Sequence, residues 1–136
     1  MKSYLAVVFT MTFGILAVAG NAYASTNIRN ELSTAISQAT SAKHATNLVQ
    51  AQTHLRYVVD CLVGDDSSKT NMTASDPCHG LGRGAISDYV GDKVNRDNLK
   101  QALMDAQYGL LTKRLKIAQN AADLAVNNLK NTAMYL

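Results

Sequence analysis

The chain has 136 residues, with 13 Lys+Arg against 10 Asp+Glu and a formal net charge of +3. That length suits one domain with a modest buried core. The basic residues are scattered, the densest group being Lys113-Arg114-x-Lys116, which argues against the continuous basic stripe of a nucleic-acid surface.

The first segment in chain order reads as a cleaved signal peptide, residues 1–24. Lys2 supplies a positive start, Leu5 to Ala19 is an almost unbroken apolar run, and Ala22-Tyr23-Ala24 gives the small-x-small pattern that a signal peptidase reads. The run is shorter than the ~20 residues of a membrane-spanning helix, so no stable membrane insertion is expected once it is removed. Cleavage would leave residues 25–136 as a single domain. Loss of Lys2 brings its net charge to about +2. The expected location is periplasmic or secreted.

The rest reads as helical. Pro occurs once, at Pro77, and no stretch alternates apolar and polar residues long enough to suggest a strand. Apolar residues fall at Ile28, Leu32, Ala35, Ile36 and Ala39, one face of a helix. A second stripe runs through Ala45, Leu48, Ala51, Leu55, Val58, Val59 and Leu62, and Gly64 provides a stop. A third stripe holds Leu99, Ala102, Leu103, Ala106 and Leu110, with Asp and Asn residues over 92–98 as candidate caps. The fourth runs through Leu111, Leu115, Ala118, Ala122, Ala125, Leu129 and Ala133.

The first and second halves match each other at an offset of 67. Arg29 meets Arg96, Leu32 meets Leu99, Ala35 meets Ala102 and Ala39 meets Ala106. Leu48 meets Leu115, Ala51-Gln52 meets Ala118-Gln119, Val59 meets Val126 and Leu62 meets Leu129. Those nine identities over 36 positions compare with roughly three by chance, and the register survives the expected inter-helix turn. The repeated unit is therefore a helical hairpin. The expected fold is all-α: an up-down four-helix bundle of two hairpins, 27–63 and 92–134, joined by a crossover loop, 64–91. The competing arrangement has each hairpin as one continuous helix covered by a second subunit, since Ala42-Lys43-His44-Ala45 holds no Gly or Pro. Monomer and dimer both stay open.

The crossover carries most of the unusual residues. Cys61 and Cys78, an even count in an exported chain, are expected to form a disulfide. At a separation of 17 residues it is worth about 3 kcal/mol in the chain-entropy account. Pro77, Gly80, Gly82, Arg83 and Gly84 mark a tight segment that is also the candidate surface for a protein partner. No strand precedes these glycines and no Gly-Lys-Ser/Thr follows, so they do not form a phosphate loop. His54 and His79, with Asp60 or Asp76 nearby, are the candidate metal ligands; imidazole suits copper or zinc. No His-x-x-x-His pair strengthens that set. Glu31 is the only glutamate, and no catalytic constellation can be singled out.

The segments Ala51-Gln-Thr-His54-Leu55-Arg-Tyr-Val-Val-Asp-Cys61-Leu62-Val63-Gly64 and Asp76-Pro77-Cys78-His-Gly80-Leu-Gly82-Arg-Gly84-Ala85 resemble a set of small exported bacterial helical proteins. These carry a Cys-Leu-x-Gly helix end followed by a Pro-Cys, Gly-rich loop. They are similar in turn to the periplasmic small metal-binding protein, a four-helix bundle of the soluble cytochrome-b type. The resemblance implies a periplasmic helical bundle and metal binding. It does not extend to haem, because the first predicted helix has no Met and the fourth no His. The expected role is a non-enzymatic periplasmic binding or accessory protein, with weak divalent-metal binding as a candidate property. The alternative is a structural or protein-interaction module acting through residues 64–91.

Overall fold

The computed structural model describes the backbone of residues 20–64 and 72–136, and the side chains of 27–64 and 72–136. The predicted signal sequence lies outside the described side chains, and residues 65–71 of the crossover lie outside the described residues. Among the described residues there are five helices and no strands. They are α1 (Gly20–Lys43), α2 (Leu48–Val63), α3 (Ala85–Asp88), α4 (Lys93–Leu111) and α5 (Leu115–Ala133). None of them is long and apolar enough to cross a membrane. The backbone of α1 is already helical at Gly20, ahead of the stripe that begins at Ile28.

Both hairpins break where continuous helices were the alternative, and neither break uses Gly or Pro. After α1, the Asn47 side chain accepts the Gln50 N–H at 2.9 Å and starts α2. Asn at this position satisfies one of the four free N–H groups that open a helix. After α4, Thr112 and Arg114 leave the helical region, and the Arg114 N–H donates to Thr112 Oγ1 at 3.2 Å. Asp92 caps α4 by accepting the Asn95 N–H at 2.9 Å.

The four long helices pack in a closed cycle, α1 on α2, α2 on α4, α4 on α5 and α5 on α1. The short α3 lies against α1, α2 and α4. The buried seam is built mostly from Ala, with Leu32, Leu55, Leu62, Leu99 and Leu129 as its large residues. Small side chains let helix axes approach closely, and the leucines fill the layers between them.

The internal repeat has a structural counterpart. Gln52 donates its side-chain amide to the carbonyls of Leu110 and Thr112, at 2.8 and 2.9 Å. Gln119, its match at offset 67, donates to the carbonyl of Ala45 at 3.0 Å. Ala45 is in turn the match of Thr112. Each hairpin thus uses the same glutamine to tie off the turn of the other. The end carbonyls of a helix have no partner within it, and these two glutamines supply one.

Replacing either glutamine by Ala is expected to cost about 1 kcal/mol and to lower the melting temperature by roughly 4 °C. The double variant should lose the sum, since the two bonds lie at separate turns. Thermal denaturation followed by circular dichroism measures this. An unchanged melting temperature in the double variant would show that the glutamines do not tie the hairpins.

Candidate functional site: the clasped crossover

The crossover returns to the end of α2 at two points. The first is covalent. Cys61, in the last turn of α2, is disulfide-bonded to Cys78, with Cα atoms 5.1 Å apart, and no described cysteine is free. The second is a backbone contact between Gly64 and Gly84, at φ +80° and +92°. A Cβ on Gly64 would run into the Arg83 carbonyl group and the Gly84 nitrogen; one on Gly84 would run into Val63 and Gly64. Glycine is required here twice over, by the positive φ and by the contact. Gly80 differs: its φ is +74°, but a side chain there would meet open space.

A third anchor comes from α1. Glu31 is 1% exposed and its Oε1 accepts the Gly84 N–H at 2.8 Å. Its other carboxyl oxygen, Oε2, is buried with no hydrogen-bond partner. Asp88 of α3, 4% exposed, accepts the Arg83 N–H at 3.0 Å and the Arg83 Nε–H at 2.9 Å. Gly82 lies between the two acids: a Cβ on it would collide with both Glu31 Oε1 and Asp88 Oδ2. The guanidinium of Arg83 thus reaches Asp88 from outside, its own side chain 79% exposed.

Burial raises the pKa of Glu31 from 4.5 to about 7. The Gly84 hydrogen bond opposes that rise; the Asp88 charge adds to it and the Arg83 charge counters it. Asp60, at the end of α2, is raised too, first by burial and then by the charge of Asp76, with Arg56 opposing. The crossover therefore sets a carboxylate against a buried helical carboxylate on each side of Cys78: Asp76 near Asp60, and Asp88 near Glu31.

The candidate metal ligands His54 and His79 lie on different parts of the structure. His54 is half-buried on α2; its Nδ1 is 2.8 Å from Gln38 Oε1 on α1, and its ring stands edge-on to Tyr57. His79 is exposed on the crossover, its N–H donating to the Asp76 carbonyl at 3.0 Å. Asp76 accepts the Thr73 N–H through its side chain. Among the described residues, no group of three or more His, Cys, Asp or Glu side chains is placed to hold a metal ion.

The remaining crossover residues fall where the sequence singled them out. Pro77 is half-buried beside Cys78, while Gly80 and Arg83 are exposed. Glu31 carried no signal beyond being the only glutamate, and Asp88 none beyond its place near the glycines. The disulfide fits a non-cytoplasmic, oxidising location. Comparison with known proteins finds no matching family, no matching curated protein and no matching solved structure, so the site itself has to carry the functional argument.

The raised pKa of Glu31 sets a pH dependence with a definite sign. Between pH 4.5 and about 7 the folded chain holds a proton that the unfolded chain has released, so stability falls as pH rises through that window. The contribution is up to about 3 kcal/mol at 1.36 kcal/mol per pKa unit. Glu31→Gln keeps an acceptor for the Gly84 N–H and removes the charge. It is expected to flatten urea-denaturation stability over pH 5–7.5 and to exceed the wild type at pH 8. A wild-type curve already flat over that range would contradict the assignment.

Gly84→Ala meets both the backbone contact and the positive φ. The expected loss is about 2–3 kcal/mol, whereas Gly80→Ala, in open space, should cost nearer 1 kcal/mol. Equal losses in parallel denaturation curves would show that the contact with Gly64 is not what Gly84 provides.

Proposed function

We propose that this is a non-enzymatic periplasmic binding protein: an up-and-down four-helix bundle that presents the disulfide-held crossover, residues 72–91, to a protein partner. The observation that carries the reading is the contrast within the crossover. Its inner atoms are fixed by Cys61–Cys78, by the Gly64–Gly84 contact and by Glu31. Its outer face leaves Thr73, Ser75, His79, Gly80, Arg83, Ser87 and Val90 exposed. A segment held in one conformation before binding loses little entropy when a partner docks.

The up-and-down topology is supported by which ends meet. Gln52 near the start of α2 reaches the end of α4, Asn95 at the start of α4 accepts from Thr132 at the end of α5, and Arg29 reaches the carbonyl of Leu136. Export is supported by the predicted signal sequence together with the disulfide. A non-enzymatic role is supported by the state of the reactive groups: both cysteines are oxidised, and Glu31 and Asp88 are sealed from solvent by the residues they anchor. The interaction reading is preferred to divalent-metal binding because, among the described residues, no group of three or more His, Cys, Asp or Glu side chains is placed to hold an ion.

Site-specific photo-crosslinking in the native host tests this. A crosslinker at His79 is expected to give one discrete adduct. The same group at Gln101, exposed on α4, should give none. Absence of an adduct at 79, or identical adducts at both positions, would overturn the proposal.

A further inference from the structure

The crossover is held partly by a buried acid whose second oxygen has no partner. We propose that a proton on the buried Glu31 carboxyl, beside Asp88, latches the crossover against α1, so that its loss releases residues 82–88.

The argument begins with the geometry. Glu31 Oε1 takes the Gly84 N–H, Asp88 takes both the backbone and the guanidinium of Arg83, and a single Cβ on Gly82 would collide with an oxygen of each acid. Two carboxylates this close and this buried are not both ionised without cost, because like charges repel strongly where water is excluded. Asp88 has Arg83 as its counter-charge at 2.9 Å; Glu31 has only an amide. The proton therefore belongs on Glu31, where it removes the charge from a buried carboxyl whose Oε2 has no partner. Removing it leaves a buried anion with an unsatisfied oxygen, which water can reach only if the 82–84 segment lifts.

The charges around Glu31 act on it in both directions. On Glu31, the Asp88 charge of α3 raises the pKa and Arg83 of the crossover lowers it, with burial outweighing both. On α2, the acid nearest the crossover is Asp60, coupled to Asp76 and Arg56 instead. On α5, Asp123 pairs with Lys43 at the opposite end of α1, at 2.7 Å, and Lys130 is exposed. The disulfide keeps the middle of the segment attached throughout. The opening is local, of residues 82–88, and leaves the four long helices in place.

The latch can be read without any variant, because Glu31 is the sole glutamate in the chain. Glutamate-selective 13C labelling gives its carboxyl carbon as one resonance. The expected result is a titration midpoint near 7, accompanied by a fall in the protection of the Gly84 amide over the same pH range after correction for intrinsic exchange. The opening constant should rise by up to tenfold per pH unit between about pH 5 and 7 and then level off, while the amide of Leu55 in mid-α2 keeps its protection. In Asp88→Asn the Glu31 midpoint should move down. A wild-type midpoint near 4.5, a Gly84 amide indifferent to the Glu31 titration, or a midpoint unmoved by Asp88→Asn would each overturn the latch. None of these readouts depends on whether the crossover binds a partner.

Discussion

The close approach of Gly64 to Gly84 is the constraint on which the rest of the crossover depends. Gly64 ends α2 at a positive φ, its N–H donating to the Asp60 carbonyl at 2.8 Å. Gly84 precedes α3 at a positive φ of its own and takes its N–H to Glu31. With no Cβ on either residue, two backbones pass in direct contact. That contact lowers Arg83 and Gly82 onto α1 and places Asp88 in the interior. The disulfide, three residues before Gly64 and six before Gly84, restricts how far the segment can wander in the unfolded chain. It does not by itself determine the face the segment presents. The glycines and the two acids do that.

Holding a loop with buried carboxylates is an expensive way to build a fixed segment. A buried polar group contributes only when its hydrogen bonds are complete, and Glu31 Oε2 is incomplete. An apolar residue at position 31 would continue the seam of Leu32, Ala35 and Ala39 without that cost. What an apolar side chain cannot do is accept the Gly84 N–H, which is buried at the contact with α2 and would then be unpaired. Glu31 satisfies that amide and accepts a burial penalty in exchange. The structure thus trades stability above neutral pH for a defined path of the chain.

Much of the helical framework was legible in the sequence, because helix periodicity depends only on neighbours three and four residues away. The stripes through Leu32, Leu55, Leu99 and Leu129 all lie in the core. The offset-67 repeat was legible as well, and Gln52 and Gln119 show why a match off the core meant something: both serve the same turn-capping task in opposite hairpins. The breaks at 44–47 and 112–114 were harder to read, since their caps are Asn47 and a glutamine from a distant helix rather than Gly or Pro. Glu31 was the least legible of all. Its partner Gly84 lies 53 residues further along the chain. The rarity of glutamate was visible, but periodicity has no term for a contact at that range.

The repeat and the crossover bear on each other through what is not repeated. In the second hairpin the position matching Glu31 is Asn98, and the position matching Cys61 is Asn128. Asn128 donates to Asp105 at 2.9 Å between α4 and α5, an ordinary interhelical contact with no segment to pin. The two hairpins therefore share the residues that fold them, the Ala and Leu seam and the capping glutamines, and differ at the residues that grip the crossover. A helical framework needs neither a disulfide nor a buried acid to close a short cycle of helices. Cys61 and Glu31, on the first hairpin alone, are explained by the crossover they hold, and the chemistry particular to this chain is concentrated there.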